Sequence, residues 1–397
     1  MPRLRSLTAG ESHGPALVAT VEGLPAGLHV SSSDLTAELA RRRLGHGRSP
    51  RMDFEVDRVE VLGGVRHGRT LGSPVSVVIH NTEWPKWVDA MDPEPRDDLE
   101  DIRDTGRGKR LTRPRPGHAD LTAALKYDYD DVRDALERAS ARETAARVVT
   151  GTYAKHLLAE VGVTVVSHVV DIGGEAVDAE AARPGPADLD TVDASSVRCF
   201  DADGEARMTA RIDEAHADND TLGGVVEVIA YGLPPGLGSH VHFDRKLDAR
   251  LAAACLSVQA MKGVEFGDGF DLARRPGSQA HDEIIWDAET GAYRRLTDRA
   301  GGLEAGMSTG QPLRLRVAMK PISSLPRPLK TVEMDSHEEA VAITQRSDAC
   351  AVPRAGVVLE AVVATELADA LLEKTGGDTV DEVRRNLDAY LAAVAER

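Results

Sequence analysis

Six short stretches hold residues able to do chemistry. In GESHG, at 10–14, His13 sits between a serine and a glycine, where neither helical nor strand periodicity calls for it. In RRRLGHGR, at 41–48, Arg42 and Arg48 flank a flexible turn that could bring two guanidiniums onto one anion. Arginine matches phosphate and carboxylate in a bidentate fork, although a cationic helix end offsetting the macrodipole is the plainer reading. In RPRPGH, at 113–118, Pro114 and Pro116 stiffen the backbone carrying Arg113 and Arg115, and the stretch ends on His118, able to trade protons near neutral pH. In RASARET, at 138–144, a continuous helix would put Arg138 and Arg142 on one face around Ser140. Surface ion pairs with Glu137 and Glu143, each worth under ~1 kcal/mol, are the alternative there. AGGLEAGMSTGQ, at 300–311, has four glycines that allow close backbone approach to a ligand, and Lys320 follows beside Ser323 and Ser324. In QRSDAC, at 345–350, Arg346 and Asp348 straddle a serine, a cation for an anion and a carboxylate for a proton.

This inventory suits an organic substrate with several negative groups. It contains no GxSxG nucleophile motif, no HExxH, no metal cage, no GxxxxGK[ST] and no GxGxxG after a strand. Elimination or group transfer is therefore expected ahead of metal-assisted hydrolysis or Rossmann-type dinucleotide binding.

The whole chain is acidic, 48 Lys and Arg against 65 Asp and Glu, net −17. Generic attraction to nucleic acid or to an anionic bilayer is opposed by that field, so an anion must be captured locally. Charge is sorted along the chain: Val88–Asp104 carries eight acidic residues and two basic ones, Thr105–Gly117 five basic and none acidic. Cys199, Cys255 and Cys350 are odd in number and lack CxxC spacing, which points away from disulfides and zinc and toward a reducing cytoplasm. No apolar run resembles a signal peptide or a membrane span.

The elements that must position these loops follow from periodicity. Ser33 reads as the N-cap of a helix ending before Gly45 and Gly47. Residues 55–62 and 74–79 read as a hairpin, and 163–170, 225–231 and 313–319 as strands. Residues 131–161 read as one long helix or two abutting ones, 246–256 as a helix, and the tail as two helical blocks split by Gly376–Asp378. Aromatic residues are only 4%, so the core must be built mostly from Ala, Val and Leu, with close helix packing. No linker divides the chain; a single α+β domain over 1–397 is expected.

Together, GESHGPALVATVEGLPAG, RRRLGHGR, RPRPGHAD, ERASARETAARVVTG, VQAMKGVEFGDGF, GGLEAGMSTGQPLR, MKPISS and QRSDACAVPRAGVVLEAVVA resemble the chorismate synthase family, in the family's order over about residues 3–365. The resemblance implies a β-α-β sandwich with a central helical layer between antiparallel sheets. It implies an anti 1,4-elimination of phosphate from 5-enolpyruvylshikimate 3-phosphate, using reduced FMN without net redox change, and a homotetramer. By the same resemblance His13 is the acid near the leaving phosphate, His118 sits near the flavin, and Asp348 works with the flavin in taking up the substrate proton. Arg42, Arg48, Arg115, Arg142 and Arg346 match substrate-binding positions. Arg138, Ala139, Ser140, Gln259, Ala260, Ala305, Lys320, Pro321, Ile322, Ser323, Ser324 and again Arg346 match flavin-binding ones. Members differ in whether they carry NADPH-dependent flavin reductase activity; with no added domain for it here, an external reductant is expected. The chain departs from the pattern at Ser49 and Pro50, at Ala139 in place of a common serine, and at Ala305 in place of a common glycine. Two other readings remain: a non-catalytic binder of phosphorylated metabolites or nucleic acid, which would not need His13, His118 and Asp348, and a flavin oxidoreductase, which would consume reductant in proportion to product.

Overall fold

A computed structural model describes residues 3–47, 57–178, 180, 182–289, 291–344 and 348–397. Arg48 and Arg346 lie outside the described residues, as do Ser49 and Pro50.

Two antiparallel sheets enclose a layer of helices. The first sheet runs Arg5–Ala9, Ala16–Glu22, Val75–His80, Arg58–Gly63 across its width. The second runs Met261–Phe266, Leu313–Met319, Gly224–Tyr231, Thr164–Ile172, Glu175–Ala176. Between them lie Ser32–Arg42, Thr144–Ala159, Leu247–Leu256 and Val352–Thr375, with Thr144–Ala159 against the first sheet and Val352–Thr375 against the second. The expected α+β sandwich with its helical middle layer is present.

The strands alternate as their sequences require. In Ala16–Glu22, Leu17, Ala19 and Val21 are buried while their neighbours are half-buried, and in Leu313–Met319, Leu313, Leu315 and Val317 face the helices while Arg314 and Arg316 face away. A middle layer between two sheets must be buried all round, and Val352–Thr375 is: 18 of its 24 residues are buried, all of them apolar except Glu360 and Asp369. Small residues let the helices close up. At Gly151 an added Cβ would collide with Ala361 on the facing helix, so only glycine permits this crossing.

One buried ion cluster pins the layers together. Glu360, fully buried, accepts from Arg41 (2.9 Å), Lys155 (2.6 Å), Arg198 (3.0 Å) and Ser167 (2.7 Å), so it ties three helices to the second sheet. Burial works against its charge, but the three cations outweigh that and hold its carboxyl well below the usual range.

Two expectations need correction, and one hairpin was missed. The first helix starts at Ser32 with Ser31, not Ser33, as N-cap, because Asp34 completes a capping box with Ser31. The hairpin Arg5–Ala9/Ala16–Glu22 was not legible, although its turn carries His13. The stretch 131–161 is neither one helix nor two directly abutting ones: Arg133–Ala139 ends at Ser140, which is extended (φ −64°, ψ 143°), and a short 3-10 turn, Ala141–Glu143, precedes Thr144–Ala159. Arg138 and Arg142 consequently do not share a helical face.

Candidate functional site

The break at Ser140 organises the first half of the site. With the chain extended there, Arg138 turns back to the carbonyls of Thr8 (3.0 Å) and Gly10 (3.1 Å), while Arg142 turns the other way to pair with buried Asp57. Ser140 Oγ meets Ser12 Oγ at 3.2 Å, next to His13. His13 is nearly buried, its Nδ1 2.9 Å from both carboxylate oxygens of Glu137. Arg42, from the last turn of the first helix, reaches the same turn, donating to Thr144 Oγ1 (3.0 Å) and to the Ala141 carbonyl (2.9 Å). His13, Arg42, Arg138, Ser140 and Arg142, far apart in sequence, thus surround residues 137–144.

The second half centres on Asp120. Fully buried, it accepts from the Arg115 backbone N–H (3.0 Å), from Arg115 Nε (2.9 Å) and Nη2 (3.1 Å), and from His118 Nδ1. Burial raises a carboxyl, but the hydrogen bonds from His118 and Arg115 dominate and hold Asp120 well below the ordinary range. Arg115 Nη1 donates to Ser324 Oγ at 2.8 Å. Gly117, at φ +78°, exposes its carbonyl to Lys320 Nζ (2.9 Å) and Ser323 Oγ (2.8 Å). Burial and the neighbouring Lys262 lower the Lys320 ammonium. The KPISS and RPRPGH stretches are therefore one surface. Three other basic residues of that loop have partners of their own: Arg110 pairs with Asp335, Arg113 with Glu333, and Arg107 lies over Trp87.

Gln259 and Ala260 join the halves. The Ala260 carbonyl accepts from the Lys320 N–H at 3.0 Å, and Gln259 Nε2 donates to Glu143 Oε2 at 3.1 Å. Gln259 Oε1 is buried and has no hydrogen-bond partner among the described residues. Asp348 arrives from a third direction. The following N–H, of Ala349, donates to Gly47 at the end of the arginine loop (2.8 Å), the Ala349 carbonyl accepts from the Leu222 N–H (2.8 Å), and the neighbouring Thr221 Oγ1 donates to the Ile322 carbonyl (3.0 Å). Arg354 pairs with Asp348. Ala305 stands apart: Leu247 donates to the adjoining Gly306 carbonyl at the start of Leu247–Leu256, whose other end leads to Gln259, so a helix of about 15 Å separates the two.

Sequence reading missed the anchors: Asp57, Asp120, Glu137, Thr144 and Asn81, all buried, and Trp87. Of these, Asp120, Glu137 and Thr144 stand inside quoted motifs, but only Asp120, two residues beyond His118, is local in sequence to the histidine it orients. A cavity of 810 Å³ lies elsewhere, on the outer face of the second sheet. Its Arg314, Arg316 and Arg183 are already paired with Asp268 and Glu227.

Among the described residues no helix is long and apolar enough to cross a membrane. All three cysteines are free and buried, and burial pushes their thiols up, Cys255 and Cys350 to about 12, which makes them poor nucleophiles.

A sequence model of the chorismate synthase family matches residues 4–372. The chorismate synthase of Frankia casuarinae is 64% identical over 396 residues, covering 99% of this chain and 100% of that protein. That of Salinispora tropica is 61% identical over 395 residues, with the same coverage. A chorismate synthase crystal structure superposes with a TM-score of 0.78 at 39% identity, over 99% of both chains. A lyase by kinship and by fold, the chain belongs to the chorismate synthase family.

Proposed function

We propose that the protein converts 5-enolpyruvylshikimate 3-phosphate to chorismate and phosphate by anti 1,4-elimination in the presence of reduced FMN. The observation that carries the reading is the joining of the His13 and His118 halves through Gln259 and Glu143, which gathers separate motifs about one region of an acidic chain.

The residues fit a flavin. Gln259 Oε1 is a buried acceptor without a partner among the described residues, suited to a ring N–H, and Lys320 and the Ser323 hydroxyl add polar groups beside it. Ala260, at φ +68°, turns the backbone at that point. Arg138, Ala139, Ser140, Pro321, Ile322 and Ser324 line the same two halves and complete the set that would hold it, with Arg346 and Ala305 assigned by family resemblance. When bound, a reduced flavin supplies electron density to a ring that becomes electron-poor as phosphate departs.

The chain's own residues do the rest. Arg42, Arg115 and Arg142, with Arg48 and Arg346, bind the phosphate and two carboxylates and stabilise the charge that builds on the leaving group. Each described guanidinium is held by fixed partners, so little reorganisation is needed when the anion arrives. His13 gives a proton to the departing phosphate. His118, held by Asp120, maintains the proton near the cofactor, and Asp348 receives the proton lost from the substrate ring. We further infer a cytoplasmic homotetramer that takes reduced flavin from an external reductant.

Anaerobic assay with the phosphorylated substrate and photoreduced FMN tests this. Phosphate should be released over many turnovers without flavin oxidation. Consumption of flavin in proportion to product would favour the oxidoreductase reading, and undiminished function in His13→Ala and His118→Ala would favour the binder.

A further inference from the structure

Two side chains not among the assigned site residues grip His13. Glu137 shares its buried carboxylate between the His13 backbone N–H, 2.9 Å from Oε2, and Nδ1, 2.9 Å from each oxygen. The His13 ring also stacks on Trp87, centroids 3.9 Å apart and planes at 29°. Trp87 follows the short turn Trp84–Lys86, which is braced to the His13 loop by Asn81: its amide donates to the carbonyls of Ser12 (3.2 Å) and Gly14 (3.0 Å), and its N–H to that of Pro15 (3.0 Å). Charged groups among the described residues nearby include Arg133, 3.8 Å from Glu137 and 5.7 Å from the Trp87 ring centre, Arg107 at 5.7 Å from that ring, Glu11 of the same loop, and the Lys86–Glu83 pair beside Trp87.

An ionised carboxylate only accepts, so it obliges Nδ1 to carry a proton and leaves Nε2 as the nitrogen that exchanges one. A hydrogen bond alone lets the ring rock about its axis; a stacked indole fixes the plane. We propose that Glu137 and Trp87 are positioning residues for His13, Glu137 setting its tautomer and Trp87 its ring plane. The inference rests on the reading of His13 as the acid. In the step, the proton leaves Nε2 for a phosphate oxygen as the C–O bond breaks, and the neutral imidazole keeps Nδ1–H on Glu137.

Glu137→Gln tests the first part at constant volume. The backbone N–H of His13 claims the amide oxygen, so the NH2 faces Nδ1, which must then accept. The expected result is a 10–100-fold fall in kcat with KM changed by less than about twofold. In protein carrying 15N-labelled histidine, the His13 resonances should move from the Nδ1–H to the Nε2–H tautomer. An unchanged tautomer overturns the proposal whatever the rate; a changed tautomer at an unchanged rate overturns the acid role of His13 instead. Trp87→Phe and Trp87→Leu test the second part and serve if the Gln variant fails to fold. Phe should retain most of kcat and Leu lose it, and a Leu variant at the parental kcat overturns the role of Trp87.

Discussion

Gln259 donates to Glu143 across 3.1 Å, and this bond, with that from the Lys320 N–H to the adjoining Ala260 carbonyl, links the Lys320 loop to the turn around which His13, Arg42 and Arg142 gather. Burial works against the charge on Glu143, but hydrogen bonds from Thr8 and Gln259 and the adjacent Arg147 keep it ionised, its carboxyl below the ordinary range. Glu143 thus anchors the amide, leaving Oε1 available. Gln259→Leu should weaken binding of reduced FMN by about tenfold, the loss of one buried hydrogen bond, with stability little changed because Glu143 keeps Thr8 and Arg147. Anaerobic flavin titration reads this directly.

Asp120→Asn should lower kcat/KM by about 10–100-fold, because one carboxylate orients both Arg115 and His118. Steady-state kinetics beside a chemical denaturation curve separates the lost orientation from lost fold. A parental kcat/KM would remove His118 and Arg115 as a coupled unit.

Glu360→Ala should cost about 3–5 kcal/mol, since Arg41, Lys155 and Arg198 would be left as buried cations around a hole. The carboxyls of Glu360 and Asp120 are both depressed in the folded state, so the stability they contribute is fully present above the unfolded carboxylate range, about pH 4. It is lost as pH falls from there toward the folded values. Urea midpoints should therefore decline below about pH 4.5 in the parent and decline less steeply in Glu360→Gln.

Ala305→Gly should stabilise the protein by up to about 1 kcal/mol, because Ala305 (φ +50°) and Gly306 (φ +80°) form the two-residue turn joining Leu303–Glu304 to Met307–Ser308, and an L-residue is strained there. Gly306→Ala should do the opposite, its Cβ falling 2.7 Å from that of Lys246. Denaturation midpoints of the two variants check both signs.

Periodicity alone yielded most strands and helices, because a face buried between layers forces alternation or a helical stripe: Leu313–Met319 was legible to the residue, and Leu247–Leu256 nearly so. It failed for Arg5–Ala9, an edge strand that is almost wholly exposed and so has no buried face to leave a pattern, and at Ser140, where hydrogen bonds to Ser12 and Arg142 outweigh helix propensity.

The motifs likewise named the family and the residues bearing charge or a labile proton, since those roles demand particular side chains at particular places along the chain. The partners were decided by the tertiary structure. Glu137 lies 124 residues from His13, and Asp57 lies 85 residues from Arg142. A carboxylate becomes an anchor only when folding buries it against a cation or an imidazole, and an acidic chain offers many candidates that linear order does not tell apart.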